Sequence, residues 1–327
     1  VNVNPAKRIA VFLALAAASR GLFAEPALDY PKNALQGQIL VVRLRSALSL
    51  SAMKAQILPR GESLPPTPSP SAGTALPKAQ KVIEEAAGAY RAMLGGGNAF
   101  MAFLPIPLSF KPGTYALRVM ATEDGRPWAT QVELLVEARP LSSMDIKLNP
   151  ALTDIKASPD PRKDAESREI SALLESIDPA ADYVRSPFLR PLSEKAVTAT
   201  FGDRRRYLYA SGGSSQSIHY GLDLYADEGT PIAASGSGRV VLAKARIVTG
   251  NTVIIEHAPG LYSCYFHMQR IDAAQGDLVD AGKIIGLVGS TGLATGPHLH
   301  WELRLNAEPM DPECLVGHPF LEGFAPR

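Results

Sequence analysis

"GSTGLATGPHLHWEL", residues 289 to 303, sets Gly289, Gly292, Gly296 and Pro297 ahead of a run in which histidine alternates with large apolar residues. Period-two alternation is the mark of a half-buried strand, and residues two apart on a strand share a face at a spacing of about 6.6 Å. His298 and His300 therefore look into one cleft, while Leu299 and Trp301 turn toward a core. Two imidazoles so placed either converge on one ion, or one binds the ion while the other reaches the reacting atoms. Spacing alone leaves both assignments open. The glycines serve tight turns that bring the chain up to the cleft; no helix start follows them, so a phosphate cradle is not indicated.

Working outward, the texture from Pro187 onward is one of short strands with frequent glycine: "AVTATFG", "GRVVLAKARIV", "NTVIIEH", "GLYSCYFHM", "KIIGLVG" and "HLHWELRL". Strands recurring at intervals of about ten residues, with no βαβ unit, predict a closed or strongly coiled antiparallel β-structure. Five of the six histidines (219, 257, 267, 298 and 300) fall within it. In "SIHYGLDLYA", His219 and Asp223 would lie about 13 Å apart on a straight strand, too far to share an ion, so the chain must bend, and Gly221 permits it. Nitrogen and oxygen donors with one open position suit a catalytic zinc, whereas a structural zinc is closed, usually by cysteines. Cys264 and Cys314 do not supply such a set; they read as small buried side chains, with a disulfide between them as the alternative.

Metal-assisted hydrolysis also needs a proton acceptor and a group to steady the charge on the carbonyl oxygen. No His-Glu-x-x-His motif provides a glutamate base, so the spare histidines are the candidates, His267 among them. His257 reads as a turn or rim residue and His318 as a surface residue. Tyr207, Tyr209 and Tyr220 are placed near the rim, and "YASGGSSQS" reads as a flexible cleft wall.

Taken together and in order, "TATFGDRRRY", "HYGLD", "LYSCYFHM", "GSTGLATGPHLHWEL" and "MDP" resemble the M23 family of zinc metallopeptidases, the lysostaphin-like or LytM-type peptidoglycan endopeptidases. The resemblance covers residues 187 to 316. It implies a duplicated-hybrid-motif-like barrel or sandwich, a Zn2+ ion held by His219, Asp223 and His300, and a catalytic pair, His267 and His298, that activates water and stabilises the tetrahedral intermediate. It also implies peptidoglycan stem peptides as substrate. From a different class, some M23-like domains act as non-catalytic activators of other wall hydrolases or as wall-binding modules; here all five positions are present.

The rest of the chain reads as mainly β as well. Residues 25–139 predict a small β-sandwich from runs such as "QILVVRLRS", "AFMAFLPI", "GTYALRVMA" and "QVELLVEA", and "AFLPIPLSFKPGTYALRV" resembles the β-domain preceding the peptidase in some secreted M23 proteins. Within it, residues 60–98 read as an inserted proline-rich loop plus a helix, with Ile83, Ala86, Tyr90 and Met93 at helical spacing. Residues 140–186 read as a linker with an amphipathic helix carrying Ile170, Leu173, Leu174 and Ile177, and 317–327 as a tail. Residues 1–24 read as a secretory signal, with Lys7 and Arg8 before an apolar run about half of the ~20 residues a membrane span needs. Export across the cytoplasmic membrane to periplasm or cell wall is the expectation, with no membrane span after cleavage. The formal net charge over 327 residues is +1, and no basic stripe interleaved with aromatics occurs, so nucleic acid is set aside as a partner.

Overall fold

Alternation in the amino-terminal half becomes two facing sheets in a computed structural model that describes residues 25–60, 89–94, 97–192, 196–319 and 321. Its strands are β1 (Ala27–Asp29), β2 (Asn33–Leu35), β3 (Ile39–Ser46), β4 (Leu50–Pro59), β5 (Ala89–Leu94), β6 (Gly97–Pro105), β7 (Gly113–Glu123) and β8 (Arg126–Glu137). They form two four-stranded sheets, ordered β1-β3-β6-β5 and β2-β8-β7-β4. Leu40, Val42 and Leu44 of β3 meet Ile57, Leu117, Val119 and Leu134 between the sheets. The other face of β3 and β6 is also covered: Ile39, Val41, Met101 and Phe103 pack against Phe188, Leu261, Leu303, Leu305, Met310 and Leu315 of the carboxy-terminal half. Burial on both faces explains why "ILVV" is continuously apolar.

The helix expected within residues 60–98 is corrected where it is described: Ala89–Leu94 is a strand, paired antiparallel with β6 from Ala89↔Ala102 to Leu94↔Gly97. Pairing to an available sheet edge overrides the local helical spacing of Tyr90 and Met93. Ile83 and Ala86, like the signal expected over 1–24, lie outside the described residues.

The segment from 140 to 186 holds a strand and two helices: β9 (Ser143–Lys147), α1 (Pro150–Ala157) and α2 (Pro161–Glu175). Each helix starts with proline behind a capping side chain, Asn149 accepting from the Leu152 amide and Asp160 from the Arg162 amide, both at 2.9 Å. Leu174, with Ile170 and Leu173, docks α2 onto Leu242, Ile254, Tyr262, Cys264 and Phe266. Ile177 falls beyond the helix and is exposed, against expectation. No helix among the described residues is long and apolar enough to cross a membrane.

The carboxy-terminal strands are β10 (Val197–Ala199), β11 (Arg204–Leu208), β12 (Ser214–Ile218), β13 (Leu222–Tyr225), β14 (Pro231–Ala233), β15 (Gly238–Arg246), β16 (Gly250–Ala258), β17 (Leu261–Ile271), β18 (Leu278–Val279), β19 (Ile284–Val288), β20 (His298–Leu305) and β21 (Glu308–Met310). The large sheet runs β10-β13-β20-β17-β16-β15-β18, with β19 joining β17 to β14 and β21 on β20. Its pairings are antiparallel. A small sheet, β12-β11-β9, stands beside it, with β9 parallel to β11. The protein is thus mainly β. Cys264 and Cys314 are free thiols in two different apolar clusters, and no disulfide joins them.

Candidate metal centre

Register does the first part of the assembly. Asp223 on β13 lies opposite His300 on β20, and His300 lies opposite Phe266 on β17, so three adjacent strands set Asp223, His300 and His267 side by side. His219 reaches them because the chain bends at Gly221 just before β13. One ligand atom from each of His219, Asp223 and His300 lies within 4.8 Å of the others, and all three residues are buried. His219 Nε2 is 3.1 Å from Asp223 Oδ1 and 2.9 Å from His300 Nδ1, and the last is 2.7 Å from Asp223 Oδ1.

The surroundings fix which atom of each residue faces the centre. A backbone carbonyl can only accept, so His219 Nδ1 must donate to the Thr200 carbonyl at 2.8 Å, and its lone pair is left on Nε2. His300 Nε2 donates to Glu302 Oε1 at 2.9 Å, which turns Nδ1 inward. Asp223 keeps Oδ1 for the centre while Oδ2 accepts from Arg205 at 2.5 Å. Thr200 is in turn held by Asp203, whose carboxylate accepts from the Thr200 amide at 2.7 Å and whose carbonyl accepts from the His219 amide at 2.8 Å.

Charge supports a cation here. Burial alone would lower His300, but its bonds to Asp223 and Glu302 outweigh this and hold it at about 9, so without a metal ion both of its ring nitrogens are protonated. Burial opposes ionisation of Asp223, yet the two histidines keep it well below the usual carboxylate range. A buried nook that retains a proton between carboxylates is chemically suited to a divalent ion in that proton's place. Two nitrogens and one oxygen, opening on a cleft, match the donor set of a catalytic site with a free coordination position.

That cleft encloses about 490 Å³ and is lined by His267 and His298 as well as the three residues above. The His267 and His298 ring centroids are 4.9 Å apart. His298 Nδ1 donates to the Gly296 carbonyl and His267 Nδ1 to the Thr291 carbonyl, each at 2.8 Å. His298 Nε2 lies 3.8 Å from Asp223 Oδ1. Burial lowers both rings, His267 to about 3 with help from neighbouring His298 and His300, so both are neutral near pH 7. His267 adopts a left-handed backbone (φ 61°), rare for a side-chain-bearing residue and a common sign of a constrained functional position.

Not every sequence expectation is met. His257 is not a rim residue: it is fully buried inside β16, donating from Nδ1 to the Ser237 carbonyl at 2.9 Å, because both faces of β16 are covered. His318 is only half-buried. Of the three tyrosines, Tyr207 and Tyr220 line the cleft. Glu302, Arg205 and the Thr200 carbonyl are absent from the sequence reading. Glu302 is signalled by the alternation 298, 300, 302; the other two lie in "TATFGDRRRY" but act across strands, where local pattern is silent.

The model of peptidase family M23 matches residues 217–312. Among solved structures, the catalytic domain of the prophage-encoded M23 protein EnpA from Enterococcus faecalis is 37% identical, the match covering 38% of this chain and 95% of that one (TM-score 0.34). The chain belongs to peptidase family M23. A putative M23 peptidase from Pseudomonas aeruginosa shares the fold, with a TM-score of 0.50 and 23% identity over 80% of this chain and 92% of its own. The DD-carboxypeptidase/endopeptidase Mpg of Neisseria meningitidis is 38% identical over 124 residues, 38% of this M23 chain, which spans 28% of that relative's length. Thr200, Arg205, β9 and both helices lie outside the family-matched segment.

Proposed function

We propose that this chain is a zinc-dependent endopeptidase that hydrolyses DD peptide cross-links of bacterial peptidoglycan outside the cytoplasm, in periplasm or wall. The observation that carries the reading is the convergence of His219, Asp223 and His300 on one point of a cleft that His267 and His298 also line. The DD preference rests on the name of the neisserial relative.

His219 Nε2, Asp223 Oδ1 and His300 Nδ1 would hold the ion. Zinc there supplies Lewis acidity toward water and toward a peptide carbonyl. The chain's own contribution is proton handling and orientation. Because Nδ1 of His298 and of His267 is committed to a backbone carbonyl, the basic nitrogen of each ring is Nε2. His298, next to Asp223, is placed to take the proton of the attacking water. Either ring, once protonated, presents an Nε2–H that can steady charge on the carbonyl oxygen or be passed to the leaving amine.

Digestion of purified sacculi tests this. Wild-type protein should release soluble fragments, a chelator or His300→Ala should stop the release, and mass spectrometry of the fragments should show DD cross-links opened. Undiminished release from metal-free protein would overturn the reading; intact sacculi with zinc bound would move the protein to the non-hydrolytic wall activators.

A further inference from the structure

Most charges in the cleft are already neutralised by one another. Asp223 binds Arg205, and Glu302 binds His300 and Arg304. Lys156 is different. It sits in the last turn of α1 and lines the cleft, its ammonium 4.6 Å from the centroid of the Tyr207 ring. Among the described residues it forms no ion pair with a carboxylate.

The helix that carries Lys156 is held in place at two points. Thr153 Oγ1 on α1 accepts from the Ala210 amide at 2.9 Å, and the Leu148 amide donates to the Leu208 carbonyl at 2.9 Å, so α1 is pinned to the end of β11. Tyr207, buried on β11, is the platform, two residues along the same strand from Arg205, the cation that binds Asp223. A lysine stacked on an aromatic face is partly stripped of water and keeps its charge directed, which suits it to a single negative group rather than to bulk solvent.

We propose that Lys156 is a specificity-determining residue that receives a free carboxylate of the peptide bound in the cleft. The inference rests on the peptide-hydrolase reading above. It adds a substrate feature that the family-matched segment does not carry, since α1 lies outside residues 217–312. The carboxylate has two sources in such a peptide: its terminal α-carboxylate or the side chain of an acidic or diamino-acid residue.

The test uses the full chain loaded with zinc and three versions of one cross-linked peptide: unmodified, amidated at the terminus, and amidated at the side chains. Wild type should favour the unmodified peptide over one of the amides by about tenfold in kcat/KM, mainly through KM, and which amide loses identifies the source. Lys156→Gln should bring that ratio close to one, and Lys156→Arg should restore most of it. A wild type indifferent to both amidations, or a preference that survives Lys156→Gln, overturns the proposal. If no peptide is cut, the hydrolase reading fails instead. Calorimetric binding of the same peptides then decides for Lys156: a preference for the carboxylate that Lys156→Gln abolishes upholds its role, and any other result overturns it.

Discussion

At Gly221 a Cβ atom would fall 2.4 Å from the Trp301 carbonyl oxygen and 2.9 Å from both His300 Nε2 and Glu302 Cγ. The bend that delivers His219 can therefore pass over β20 only where the side chain is absent. Gly221→Ala should push β20 away, costing about 1–3 kcal/mol of stability, and, on the proposed zinc reading, should weaken zinc binding by about tenfold or more, as read by competition with a chromogenic chelator. Unchanged affinity would show that the close approach does not matter to the centre. At this scale the sequence is most informative where pattern is local. The His-x-His face and the need for a bend at Gly221 can be read from spacing. The contact that turns His300 is legible too, two residues along at Glu302. Thr200 and Arg205 are not, because each contacts a ligand about 19 residues away and only the folded chain sets them together.

Strands and helices differ in how far their own sequence decides them. The apolar stripe of α2 is informative as far as Leu174, where Ile170, Leu173 and Leu174 meet Tyr262 and Phe266, whereas Ile177, expected on the same stripe, falls beyond the end of the helix. In β5 local pattern misleads, because the edge of β6 is a stronger determinant than helical spacing. In β16 the mistaken element is a histidine: its neighbours look like a turn, yet the sheet buries it. Burial lowers His257 from its ordinary 6.5 to about 4. Between those values the unfolded chain binds the proton more readily than the folded one, so the stability due to neutral His257 is whole above pH 6.5 and fades as pH falls to about 4. The shift corresponds to about 3 kcal/mol. Urea unfolding of chelator-treated protein at pH 7 and pH 4 should therefore show a larger loss for wild type than for His257→Gln, by about that amount; equal losses would assign the acid sensitivity to other groups.

Across the whole molecule, the two halves share one apolar seam. Met101 and Phe103 of the sandwich, with Ile39 and Val41, lie against Leu261, Leu303, Leu305 and Leu315. A domain division drawn near residue 187 from composition alone cannot reveal this, because a doubly buried strand and a singly buried one differ only in how strictly they alternate. Phe103→Ala should remove about 3–5 kcal/mol, and calorimetry should still show a single transition at a lower temperature. Two resolved transitions in the wild type would mean that the halves melt independently. Strand β20 gives the seam a further meaning, for it begins at His298 and His300 in the cleft and ends at Leu303 and Leu305 in the shared apolar layer. The peptidase half is accordingly no interchangeable cassette. Displacing the sandwich therefore acts on the same eight-residue strand that carries His298 and His300.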